Sequence, residues 1–179
     1  TTEIYTLSLH DALPIWVLFK QYHERLPFVK NLQDATSSAA ARRGWIRTAL
    51  GRRARFPLYE PSSWDESKGC TPLAFEAAQK KWGHKIRRAY TYKAMNRLIQ
   101  GTAADVMKKS MSNLWKSGVC DVLGAPHLTV HDELDWSVPK TKAGAEAHAE
   151  VLNIMQTSMK FRVPLVCDTE NGPSWGEVA

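Results

Sequence analysis

Three consecutive titratable side chains, His131, Asp132 and Glu133, interrupt an alternating apolar run, LTVHDELDWSV. Alternation on both sides of the charged tripeptide predicts two antiparallel strands joined by a tight turn, with His131 and Asp132 at the tip. Leu128 and Val130 face one way on the incoming strand, and Leu134, Trp136 and Val138 face one way on the outgoing one, so each can cover a core. A carboxylate at a hairpin tip is held stiffly by the sheet while its oxygens stay accessible. That suits a divalent cation that takes one or two protein carboxylates and completes its shell with water and phosphate oxygens. A polar turn without chemistry explains the same tripeptide, because aspartate is a common turn residue.

A second set of candidates lies upstream in KAMNRLIQGTAADVMKK. Helical spacing puts Lys93, Asn96 or Arg97, and Gln100 on consecutive turns of one face, followed by Gly101, Ala103 and Ala104, which let another backbone approach closely. Asn96 and Gln100 make a short ladder of amide donors. In a DNA minor groove every Watson–Crick pair offers acceptors at similar places, so such donors can sense pair shape without reading sequence. Ordinary exposed polar groups on a helix account for the same pair.

The elements that must position these groups can be read from periodicity and punctuation. Leu18, Phe19, Tyr22, Leu26, Val29 and Leu32 recur at three- and four-residue spacings, predicting two helices broken near Pro27. Gly44 closes the second, after Arg42 and Arg43 in its last turn. Short β-like pieces around Gly51 follow, ending at Pro57 and Pro61, and PSSWDESKGCTP reads as a surface loop. A short helix is predicted from Leu73 to Trp82, stopped by Gly83. A long one runs from about Ile86 or Ala89 to Lys116, stopped by Gly118. After the hairpin come a helix from Lys142 to about Phe161 and a last strand, VPLVCD. The pattern is α+β, an antiparallel sheet with a hairpin packed against long helices, and it has no internal repeats.

Composition narrows the class of partner. Twenty-four basic against eighteen acidic residues in 179 give a net charge of +6 and a pI near 9.3, which fits a polyanionic partner or simply a basic soluble domain. Cys70, Cys120 and Cys167 are far apart, odd in number and without C-x-x-C spacing, so neither a zinc site nor a disulfide framework is indicated. No apolar run reaches transmembrane length, and the opening TTEIYTLSLHDALPI has no basic n-region. In one codon choice those fifteen residues read as a common sequencing adapter in frame. Thr1 to Ile15, including His10 and Asp11, are therefore set outside the fold, which implies a natural chain interrupted just before Trp16.

QGTAADVMKKSM, then LTVHDEL some thirty residues on, then a helix, VPLVCD and a terminal Gly172-x-x-Trp175 together resemble the C-terminal part of A-family DNA polymerases, the bacterial DNA polymerase I type. YHERLP, Gly44-Trp45, TALGRR and Phe56-Pro57 extend the match in order, covering Trp16 to Ala179 apart from the loop around residues 61–80. The resemblance implies residues 16–60 as the end of the fingers and its return to the palm. Residues 61–82 would be a variable surface loop with a short helix, and 83–179 the C-terminal palm. It implies template-directed DNA synthesis with primer–template DNA and dNTPs as partners, in a monomeric protein of the bacterial or phage-infected cytoplasm with no membrane association.

Laid on matching positions, the resemblance makes Asp132 a ligand of a catalytic Mg²⁺ pair, Glu133 a supporting acid and His131 a neighbour of the primer end. Asn96 and Gln100 would lie in the minor groove beside the newest base pairs. Arg87 and Arg88 would approach DNA. Arg52 and Arg53 would face the template or fix their own loop through carbonyl contacts. Such chemistry joins a primer 3′ hydroxyl to a nucleotide α-phosphate between two metals about 3.5 to 4 Å apart. Carboxylates suit partly hydrated Mg²⁺, whereas neutral histidine suits zinc better. Two parts of the family pattern have no counterpart in these residues: the first motif, with the other metal-bridging aspartate, and the basic and aromatic fingers helix that holds the triphosphate. Where bacterial members carry an arginine four residues before Asn96, this chain has Tyr92, with Lys93 adjacent as a substitute. The loop at 61–72 and the KKWGHKIRR run are closer to phage-encoded members. Two alternatives differ in class. A single-subunit RNA polymerase palm typically has serine where Glu133 stands, and a non-catalytic DNA-binding relic would keep only the basic face.

Overall fold

The computed structural model describes residues 12–177, with side chains from residue 15 onward. Thr1 to Asp11, most of the stretch read as adapter, lie outside the described residues, and Ala12 begins the first helix. The chain divides at Ile99/Gln100 into two compact units. As expected, helices and antiparallel strands are mixed, but the strands fall into three small sheets of two, three and two strands.

In the first unit, α1 (Ala12–Arg25) and α2 (Pro27–Arg43) break at Leu26 as Pro27 requires. Proline at the first helical position costs no hydrogen bond, because that N–H has no partner within the helix anyway. At the other end Gly44 adopts φ 75° and donates its N–H to the Ala40 carbonyl. The left-handed backbone calls for glycine there; the guanidinium of Arg88 lies 2.7 Å from where a Cβ would stand, a contact the arginine side chain would have to shift to relieve. The apolar periodicity of these helices does not become a core stripe: Leu18, Phe19 and Tyr22 are exposed, and α2 buries Thr36 and Ala40 instead.

β1 (Trp45–Arg47) pairs with β2 (Arg53–Arg55) across the Gly51 turn. β3 (Leu58–Pro61) is the centre of a three-stranded sheet, flanked by β4 (Leu73–Ala74) and β5 (Ile86–Arg88). The predicted loop at 61–72 contains one helical turn, α3 (Trp64–Ser67), and the short helix α4 (Phe75–Trp82) ends at Gly83. Ile86–Arg88 is a strand and not the start of the long helix, because its backbone finds a partner in β3 with Tyr59 opposite Arg88 and Pro61 opposite Ile86. Phe56, Ile46, Ala40 and Ala94 form this unit's core, with Ala54, Tyr90 and Leu98 packed against it.

The long helix α5 (Ala94–Ser117) begins after a 3-10 turn at Thr91–Lys93 and ends where Gly118 takes φ 81°. A five-residue helix absent from the sequence reading, α6 (Val119–Leu123), follows. In the second unit the hairpin is β6 (Leu128–Val130) and β7 (Glu133–Asp135), and the last helix is α7 (Lys142–Thr157), four residues shorter than predicted. The expected last strand, VPLVCD, is not formed: no strand pairs with residues 163–168 among the described residues, and Val163 and Val166 are exposed. An extended segment becomes a strand only when a neighbour takes up its backbone groups. The core here is Leu114, Val119, Leu123, Ala147 and Val151, joined by Leu134 and Trp136 from the hairpin side. Among the described residues no helix is long and apolar enough to cross a membrane.

Candidate functional site

Val130 pairs with Glu133, so His131 and Asp132 are the two central residues of a tight hairpin turn, as the alternation predicts. His131 has φ 52°, one of two non-glycine residues with positive φ among those described. Positive φ at the first central position is the type II′ pattern, usually filled by glycine, and costs a side-chain-bearing residue about 1–2 kcal/mol. The flanking ladder holds it there, since the pairings run without a gap from Leu128–Asp135 to Val130–Glu133. The His127 N–H extends the ladder by bonding the Asp135 carbonyl at 2.8 Å.

The register corrects the predicted faces. Opposite residues share a face, so Leu134 is grouped with Thr129, while Leu128 and Val130 stand with Asp135 and Glu133 on the other side. Leu134 and Trp136 pack onto the core, whereas Leu128 is 44% exposed. Trp136 is anchored further, its indole N–H donating to the Gly124 carbonyl at 3.1 Å. The hairpin is thus clamped from its outgoing strand, and its tip carries His131, Asp132 and Glu133 exposed. Neither Asp132 nor Glu133 has an ion-pair partner among the described residues, which leaves two adjacent negative charges at one tip.

Asp135 was not singled out from the sequence. One of its carboxylate oxygens, Oδ2, is buried without a hydrogen-bond partner among the described residues. Period-two alternation already places it on the face of Glu133, and that is the signal that could have found it.

Among the described residues no group of three or more His, Cys, Asp or Glu side chains could hold a metal by itself. The donor set at the tip is two neighbouring exposed carboxylates, Asp132 and Glu133. That fits a partly hydrated Mg²⁺ sharing ligands with phosphate, and does not fit an ion held by protein alone.

Asn96 and Gln100 are both exposed on α5, one turn apart. Lys93 is exposed, with its ammonium 4.9 Å from the Tyr90 ring centroid and 5.6 Å from that of Tyr92. The paired arginines of β5 are more committed. Arg87 donates to Glu60 at 2.9 Å and to Ser67 at 3.4 Å. Arg88 bonds the Phe56 carbonyl at 3.1 Å and lies over Tyr59. Arg52 bonds through its backbone N–H to the Thr48 hydroxyl, and Arg53 stacks 4.7 Å over Trp45. A residue assigned no role from the sequence, Arg97, bonds the Arg55 carbonyl at 2.8 Å and covers Phe56. Its proximity to Arg55 is a tertiary fact with no sequence signal.

Residues 16–177 match the family model for DNA polymerase family A, and the chain belongs to that family. It is 32% identical over 159 residues to a DNA-directed DNA polymerase of Pseudomonas phage M6, covering 89% of this chain and 19% of that protein. It is 31% identical over 173 residues to the thermostable DNA polymerase I of Thermus aquaticus, covering 94% of this chain and 18% of that one. A solved structure described as the POL domain of Pol1 from M. smegmatis in complex with DNA primer-template and dNTP matches with a TM-score of 0.61 and 26% identity. The match covers 83% of this chain and 23% of that one. The chain thus spans less than a fifth of the length of these curated relatives.

Proposed function

We propose that this chain is the C-terminal palm and terminal-fingers part of a DNA polymerase that adds dNTPs to a primer 3′ hydroxyl on primer–template DNA, with Asp132 as a Mg²⁺ ligand. The observation that carries the reading is the unpaired, exposed carboxylate of Asp132 at a two-residue turn, held by a strand anchored through Leu134 and Trp136. Residues 16–60 are assigned to the end of the fingers, 61–82 to a variable surface segment and 83–179 to the palm. Thr1–Ile15 are assigned to sequence outside the polymerase; the family-model match begins at residue 16, whereas the alignment with the Thermus aquaticus enzyme, covering 94% of the chain, reaches a few residues upstream of it.

Divalent ions, when bound, would neutralise charge on the reacting phosphate oxygens. The chain's own residues supply binding and position. Asp132 offers two hard oxygens on a stiff support, and Glu133 adds a second negative charge that favours a cation at the tip. His131, fixed in its strained conformation, is assigned to the primer end. Asn96 and Gln100 donate hydrogen bonds to minor-groove acceptors and are blind to base identity there. Lys93, Arg52 and Arg53 contribute charge toward the backbone, with the salt dependence that implies. Arg87 is assigned a weaker share, because Glu60 already neutralises it. Only one of the two metal aspartates of the family pattern is found in these residues, so the 179-residue chain by itself is assigned no primer extension.

The test is primer extension by the protein completed with its upstream polymerase sequence. Asp132→Asn should lower incorporation by at least about a hundredfold, more than loss of an outer-shell partner costs a metal site, with unchanged thermal stability. Full activity in that variant, or extension by the 179-residue chain alone, refutes the assignment.

A further inference from the structure

Between Arg42 and Arg55 the chain carries six arginines and no acidic residue. Folding gathers three of them around one indole: the guanidinium carbons of Arg53, Arg47 and Arg43 lie 4.7, 5.5 and 5.8 Å from the Trp45 ring centroid. All three arginines are exposed, and none has an ion-pair partner among the described residues. Attraction to an aromatic face offsets about 0.5–1 kcal/mol per exposed cation, enough to hold guanidiniums together but not to neutralise them. The cluster therefore keeps its positive charge available. A guanidinium held near a ring face keeps N–H donors for bidentate phosphate recognition.

A shallow groove of about 370 Å³ opens at the same place, lined by Ala39, Ile46 and Leu98 together with Arg43, Trp45 and Arg47. Thr36, also in its wall, turns its hydroxyl back to the Leu32 carbonyl at 2.7 Å, so apart from the guanidiniums the surface is apolar. Positive charge beside an apolar recess suits a strand whose bases are not already stacked and paired. Duplex DNA offers the phosphates but no free base.

We propose that Trp45 is a positioning residue that organises Arg43, Arg47 and Arg53 into a binding site for single-stranded DNA, with phosphates on the guanidiniums and a base in the adjoining groove. The site rests on the polymerase reading for its choice of DNA, but not on the Asp132 tip or the α5 amides. In that setting it would hold an unpaired stretch of a DNA strand while the duplex is held elsewhere.

The experiment is fluorescence anisotropy of the 179-residue chain with a labelled dT oligonucleotide and with a blunt duplex, over a range of salt. For single strands log K falls by about 0.7 per neutralised phosphate for each decade of salt. The R43Q/R47Q/R53Q variant should therefore flatten the slope for dT by about two. Replacing the same three arginines by lysine keeps the charge, so it should keep the slope but weaken binding severalfold, as should Trp45→Leu. Trp45→Phe should restore most of the loss. An unchanged slope in the glutamine variant, full affinity in both the lysine and Trp45→Leu variants, or equal losses for blunt duplex would each overturn the proposal. Failure of the polymerase reading shows separately: N96A/Q100A would then leave primer–template binding intact while the dT results stand.

Discussion

Adding one methyl group at Gly144 should destabilise the protein, against the ordinary preference of helices for alanine. Gly144 is buried in the first turn of α7. By propensity alone, alanine would stabilise a helical position by up to about 1 kcal/mol. A Cβ there, however, would stand 3.1 Å from the Pro139 carbonyl carbon and closer still to its oxygen. That oxygen cannot swing away, because it accepts the Thr141 N–H at 2.8 Å. Thr141 is in turn the helix cap, its hydroxyl accepting the Gly144 N–H at 3.1 Å. Relieving the contact must shift one backbone segment, at the roughly 1–3 kcal/mol of an overpacked site, and loosen a cap worth about 1 kcal/mol. The balance is a net loss of about 1–3 kcal/mol once the propensity gain is subtracted, or about 2–4 °C of Tm per kcal/mol for a chain of this size. Denaturant and thermal unfolding followed by circular dichroism would measure it. Ala147 and Val151 of the same helix belong to the core that Leu134 and Trp136 join, so tryptophan fluorescence should report loosening behind the hairpin. A raised Tm for Gly144→Ala would refute the reasoning, since it would mean that Pro139 yields freely.

Other consequences are simpler. Thr141→Ala removes the same cap acceptor without the clash and should lower stability by about 1 kcal/mol, with Thr141→Ser close to the parent by the same unfolding assay. Burial, and secondarily the adjacent Asp168 carboxylate, push the Cys167 thiol above its ordinary value. Its thiolate is disfavoured in the folded state, so this group's contribution to stability is fully present below about pH 8.5 and is lost as pH rises through the raised value. Iodoacetamide labelling of Cys167 followed by mass spectrometry should therefore accelerate in Asp168→Asn at pH 8, and an unchanged rate would remove the aspartate as a cause.

Punctuation was the legible part of this fold. Pro27, Gly44, Gly83 and Gly118 each act through the dihedral angles of their own neighbourhood, and helices start or stop at all four. The hairpin turn at His131–Asp132 is equally local, as two alternating runs separated by two residues leave few alternatives. Motif order along Trp16–Ala179 pointed to the polymerase family in the same way, because it needs only residues in sequence.

Pairing and neighbourhood were decided by tertiary structure. IRR at 86–88 is a strand because β3, some 25 residues earlier, supplies its hydrogen-bond partners, and VPLVCD is unpaired because no strand does so for it. The hairpin's apolar residues alternate on both strands, yet only the register revealed that Leu128 and Leu134 face opposite ways. Arg43 and Arg47 are near Trp45 by sequence, but Arg53 joins them only because β1 meets β2 in one register, with Arg47 opposite Arg53 and Trp45 opposite Arg55. Sequence alone determined where the chain turns and which residues carry charge, since those are properties of single residues and their neighbours. Which charges meet, and which faces are covered, was decided only when distant segments exchanged backbone hydrogen bonds.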